Sequence, residues 1–96
     1  PKNVGVLLDF AHLKVSSNAL KFDLIDETRK IASKARGFHL SDNDGFMDTN
    51  SAFDMNTWFW EFIPSDAKYV TVEVYTRDKE ALSRMIKICF GKMYPR

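Results

Sequence analysis

One cysteine, three prolines and four glycines are all that the 96 residues contain of these types. The lone thiol, Cys89, excludes an internal disulfide, and no histidine stands near it in sequence to activate it as a nucleophile. Its place in an amphipathic helical pattern predicts a core thiol, and reducing, cytoplasmic conditions fit that usage. The few glycines form neither a phosphate-cradling loop nor a Gly-x-Ser-x-Gly elbow. Charge of one sign is also missing. Fourteen Lys and Arg stand against 13 Asp and Glu, a formal net charge of +1, so there is no strong field to draw nucleic acid or an acidic membrane. Lys30, Lys34 and Arg36 read as the solvated face and last turn of a helix, not as a nucleic-acid patch. No apolar run approaches the roughly 20 residues of a membrane span, and no signal peptide opens the chain. The chain starts at Pro1 without an initiator Met and enters an apolar run almost at once, which predicts a processed or truncated start.

What is present alternates. Val4-Gly5-Val6-Leu7-Leu8, Gly37-Phe38-His39-Leu40 and Tyr69-Val70-Thr71-Val72-Glu73-Val74-Tyr75 are the three strand-like runs. Between the first two, Asp23 caps a predicted helix whose face is Leu24, Ile25, Thr28, Ile31, Ala32 and Ala35, with Gly37 as its stop. Asn56 or Thr57 caps a short helix over Trp58–Ile63 that Pro64 ends. Asp78 caps the last helix, whose buried stripe is Leu82, Met85, Ile86, Cys89, Phe90 and Met93. Strand, helix, strand, helix, strand, helix predicts an α/β fold with a parallel sheet and right-handed crossovers. The strands begin about 32 residues apart, a usual length for one unit of a (β/α)8 barrel of roughly 250 residues. Residues 1–96 thus read as one incomplete domain of three consecutive parallel βα units.

Two segments exceed what connection needs: Ala11 to Phe22 and Asp42 to Met55. Both follow the C-terminal ends of strands, the edge where parallel α/β folds bind ligands. Polar residues gather at that edge. The first strand delivers Asp9, with His12 close behind; the second delivers His39, then Asp42, Asn43, Asp44 and Asp48; the third delivers Glu73, between two valines. Neighbouring parallel strands lie about 4.8 Å apart, so a carboxylate, an imidazole and a carboxylate on successive strand ends can converge on one ion. That mixed oxygen and nitrogen set suits Mn²⁺, Zn²⁺, Mg²⁺ or Co²⁺. Each residue also has a plainer reading: Asp9 as a loop cap, His12 as a hydrogen-bonded loop histidine, His39 as a satisfied core histidine, and Glu73 as an outward-facing position. Asp42, Asp44 and Gly45 match part of a calcium loop, but its closing Glu is absent. Trp58 and Trp60 cannot share one helix face, so one is expected on the sheet and the other beside the ligand loop or half exposed.

Taken together, Leu7-Leu8-Asp9-Phe10-Ala11-His12, Phe38-His39-Leu40-Ser41-Asp42-Asn43-Asp44-Gly45, Asp48 and Val72-Glu73-Val74 resemble the C-terminal half of the xylose isomerase-like barrel superfamily. That superfamily includes sugar and sugar-phosphate isomerases and epimerases and the barrel-type apurinic endonucleases. The resemblance implies strands six to eight of a (β/α)8 TIM barrel. It implies a divalent metal held by Asp9, His39 and Glu73, with Glu73 also moving a proton. His12, Asp48 and Asn50 would contact a sugar or sugar-phosphate substrate, His12 alternatively a second metal. Where the nucleases carry Asp-x-His, this chain has Asp48-Thr49-Asn50, which disfavours a three-zinc site. The resemblance implies an isomerase or epimerase; an apurinic endonuclease relative and a non-catalytic barrel remnant are the alternatives. The first five barrel units and one ligating Glu of the family lie outside these residues. The isolated chain is therefore expected to be inactive and not autonomous, resting on the remainder of the barrel or another copy of itself. Val6, Leu8, Leu40 and Val72 are the expected open inner surface.

Overall fold

The computed structural model describes residues 5–94. Val4, the expected first residue of the opening strand, and Pro1 lie outside them. The remaining residues form three strands, β1 (Val6–Asp9), β2 (Ala35–Leu40) and β3 (Tyr69–Val72), with helices α1 (Phe10–Leu20), α2 (Leu24–Ala32) and α3 (Lys79–Met93). The sheet order is β1-β2-β3, all parallel. The α/β class and the sequential neighbour order expected from the alternation are therefore present, and no hairpin joins two of these strands.

The segment after β1 differs from expectation. Ala11 to Phe22 is not a long loop; α1 begins at Phe10, immediately after the strand. Asp9 caps it, one carboxylate oxygen accepting from the His12 N–H at 3.0 Å. Ser16, Ser17 and Asn18 are weak helix formers, which hides the helix in the sequence, while packing of Phe10 and Ala11 supplies what propensity lacks. Lys21 ends α1 in the left-handed region, its N–H bonded to the Ser17 carbonyl. The next helix, α2, opens at the Asp23 cap as expected and stops at Ala32, so Ala35, Arg36 and Gly37 belong to β2 rather than to the helix end. Gly37 serves the sheet: a Cβ there would lie 2.8 Å from Leu7 Cδ1. Only a 3-10 turn, Trp60–Phe62, forms where a short helix was expected before Pro64. As expected, Asp78 caps α3, accepting from the Glu80 and Ala81 N–H groups.

Strand alternation sorts the side chains into two faces. Leu8, Phe38 and Leu40 are buried on the helix-covered face, joined by Phe10, Phe53, Phe59, Phe62 and Met85. Phe10 is the hub, stacked on Phe38 and Phe59 with ring centroids 5.5 and 5.0 Å away. Leu8 and Leu40, expected on an open inner surface, are thus the core under the helices. The uncovered face instead carries Leu7, 54% exposed, and Tyr69, 68% exposed, leading to Asp9, His39 and Glu73 at its C-terminal rim. Beside the free edge of β3 runs an apolar groove of about 470 Å³ lined by Val70, Val72, Ile86, Cys89 and Phe90. The Cys89 thiol is half-buried against the core, and that burial pushes its pKa up.

Candidate functional site

Register brings three ionisable side chains to one place. Asp9 pairs with His39 across β1 and β2. His39 pairs with Thr71 across β2 and β3, so Glu73, two residues beyond Thr71, points to the same face. Each of Asp9, His39 and Glu73 offers one ligand atom, and these lie within 4.8 Å of one another. His39 Nδ1 stands 3.1 Å from Glu73 Oε2 and 4.0 Å from Asp9 Oδ2. All three are partly buried, open enough to exchange with solvent and sheltered enough for charge to count. The donor types suit a divalent ion: two hard carboxylates and one imidazole.

Asp9 divides its two oxygens. Oδ1 caps α1, which leaves Oδ2 facing the two imidazoles. The loop-cap reading and the ligand reading of Asp9 are therefore compatible. One turn into α1, His12 sits between carboxylates: Nδ1 is 3.1 Å from Asp9 Oδ2, and Nε2 contacts Asp48. Its ring is mostly exposed at the rim. Asp48 reaches it from the long segment between β2 and β3.

Asn50 is placed differently from the substrate contact expected of it. It is buried, and its amide donates to the Glu73 carbonyl at 2.8 Å, so that group is committed to backbone.

The long segment is pinned rather than loose. Asp42 and Ser51 pair antiparallel through bonds of 2.9 and 2.7 Å. Asn43 donates to the Ala11 carbonyl at 2.9 Å and accepts from the Gly45 N–H at 2.8 Å. Gly45 holds a φ of 89°, which a side chain would strain. Asp44 takes two N–H bonds, from Phe46 and Met47, and these hold its carboxyl below the usual carboxylate range. In this closed turn Asp44 Oδ1 and Asn43 Oδ1 are both spent on backbone N–H groups.

Lys14 is the residue that sequence reasoning missed. Its ammonium lies 3.0 Å from Asp42 Oδ1 and also donates to the Asn43 carbonyl. Helical spacing from Phe10 and Ala11 was the available signal, masked by reading this stretch as loop. Trp58 packs edge-on against Phe10, and its indole N–H points to Asp42 Oδ1 at 3.4 Å. Trp60 packs on Phe53 and Phe59 and donates to the Asp54 carbonyl at 2.7 Å. Both tryptophans thus belong to the aromatic cluster. Ser41, just past β2, is buried with its hydroxyl unpartnered among the described residues.

Compared with protein-family models, curated proteins and solved structures, the chain matches none. No described helix is long and apolar enough to cross a membrane.

Proposed function

We propose that this chain is the part of a xylose isomerase-like (β/α)8 barrel formed by its sixth to eighth strands, and that it contributes to a metal-dependent isomerase or epimerase acting on a sugar or sugar phosphate. The observation that carries the reading is the convergence of Asp9, His39 and Glu73 at the C-terminal rim of three consecutive parallel strands. Such rims are where barrel enzymes keep their chemistry. Two further features support it. Among the described residues, β1 and β3 each pair on one side only, and the face bearing the site lacks a covering layer. The remainder of a barrel, or another copy of the chain, would supply both.

In this reading Asp9, His39 and Glu73 hold a divalent cation, whose contribution is to polarise a substrate carbonyl or hydroxyl. Glu73 would take a proton from the carbon beside that carbonyl and deliver it to the former carbonyl carbon, while the neighbouring hydroxyl proton passes to the former carbonyl oxygen, so substrate and product are isomers. His12 and Asp48, paired at the rim, orient substrate hydroxyls. Asp9 keeps one oxygen on the α1 terminus and so presents the other in a fixed direction.

The test is a titration with paramagnetic Mn²⁺ followed by NMR. Selective broadening of Asp9, His39 and Glu73 is expected, even at the weak affinity that three protein ligands provide. Subsequent addition of a ketose or ketose phosphate is expected to shift His12 and Asp48. Broadening spread evenly over the surface carboxylates would remove the metal site, and unmoved His12 and Asp48 resonances would remove the substrate assignment.

A further inference from the structure

We infer that Asn50 is a positioning residue that holds Glu73 against His39, an inference that rests on the site reading above only for its consequence in metal binding. Glu73 lies one residue past the last residue of β3, in an edge strand. A single ladder bond, from its N–H to the Leu40 carbonyl at 3.0 Å, reaches it from β2. On that side β2 ends at Leu40, so the strand itself offers no partner to the chain beyond this bond. Asn50 fills the gap. Its side-chain amide donates to the Glu73 carbonyl at 2.8 Å, and its main-chain carbonyl accepts from the Tyr75 N–H at 2.9 Å. The two bonds grip the backbone on both sides of Val74, as a neighbouring strand would.

Asn50 is itself anchored to the strand that carries His39. It adjoins Ser51, whose N–H and carbonyl bond to Asp42, and Asp42 follows β2 by two residues. A short, hydrogen-bonded backbone path therefore joins His39 to Glu73 through Asn50. The residue type suits the place. Its φ of 48° is left-handed, a region that asparagine tolerates and a β-branched or bulky residue does not. Asn50 is 5% exposed, so removing its side-chain amide leaves the Glu73 carbonyl without that donor.

A merely structural Asn50 would add stability and leave the site unmoved. The two roles separate in the metal-free protein by NMR. Glu73→Gln perturbs the His39 ring nitrogens because the two side chains are in contact, at 3.1 Å. That perturbation is measured with Asn50 intact, in N50G, which keeps the left-handed backbone and removes the amide, and in N50D, which keeps the shape and removes the donor. L82A, a partly buried position in α3, serves as the control for lost stability. The E73Q effect on His39 is expected to shrink several-fold in both Asn50 variants and to persist in L82A. Mn²⁺ affinity is expected to fall about 10–100-fold in N50G, the usual cost of losing a partner that orients a ligand. An undiminished E73Q effect in N50G and N50D, or an equal loss in L82A, would overturn the proposal. Absence of Mn²⁺ binding in the unaltered chain would instead count against the metal site, and the His39 measurement would still decide the role of Asn50.

Discussion

The imidazole of His39 faces the carboxylate of Glu73 across two parallel strands, Nδ1 to Oε2 at 3.1 Å. The pair lies on the uncovered face, and Asp9 completes it from the end of β1. Asp9 also caps α1, so its two duties can be separated by substitution. Asparagine caps about as well as aspartate, whereas alanine in place of a cap costs about 0.5–2 kcal/mol. D9N is therefore expected to melt close to the parent protein and to lose Mn²⁺ broadening at His39. D9A is expected to lose both stability and broadening. Thermal melts beside the NMR titration check this; a D9N protein with the parent's broadening would remove Asp9 from the ligand set.

Phe10 is fully buried and touches Phe38, Phe59 and Trp58. Removing such a ring costs about 3–5 kcal/mol. Small domains hold only about 5–15 kcal/mol in all. F10A is accordingly expected to lower the urea midpoint sharply or to leave the chain unfolded, where F46A, at an exposed ring, leaves the midpoint unchanged.

Lys14 and Asp42 are both about three-quarters buried, at 24% and 25% side-chain exposure. Substituting Lys14 by methionine keeps the stem packed and leaves Asp42 and the Asn43 carbonyl without their charged donor. A loss of about 1.5–3 kcal/mol is expected in denaturant unfolding, the range for hydrogen bonds to charged groups. Faster amide exchange across residues 42–51 should accompany it.

Ser41 gives the opposite sign. A buried hydroxyl with no partner carries its desolvation cost uncompensated. S41A is expected to stabilise the chain by about 1 kcal/mol, read from the urea midpoint. A destabilised S41A would mean that the hydroxyl has a partner in solution.

Acid acts on the turn at Asp44. Folding lowers its pKa through the N–H bonds from Met47 and Phe46. A depressed carboxylate contributes stability that is fully present above its unfolded pKa and is lost as pH falls through the folded one. The Phe46 and Met47 amide resonances are therefore expected to hold steady from neutrality through the ordinary carboxylate range. They should move only below it, and D44N should abolish that movement.

Local chemistry was enough for much of this. Alternation of apolar runs with helical stripes reveals a parallel α/β sheet because strand and helix periods are properties of neighbouring residues. The caps Asp23 and Asp78 are legible because a cap acts within three residues of itself. Asp9, His39 and Glu73 could be picked out because each lies within one residue of a strand's C-terminal end, and parallel strand ends share one edge. Other features depended on contacts between distant segments. Helix α1 is held by Phe10 and Ala11 against propensity. Lys14 meets Asp42, and Asn50 meets Glu73, only once the segment after β2 folds back over the sheet. Alternation also separates Leu8 from Leu7 without saying which of them the helices cover; Leu8 is 4% and Leu7 54% exposed. That choice belongs to the tertiary structure, because it is made by the packing of α1 and α2 and not by either strand alone.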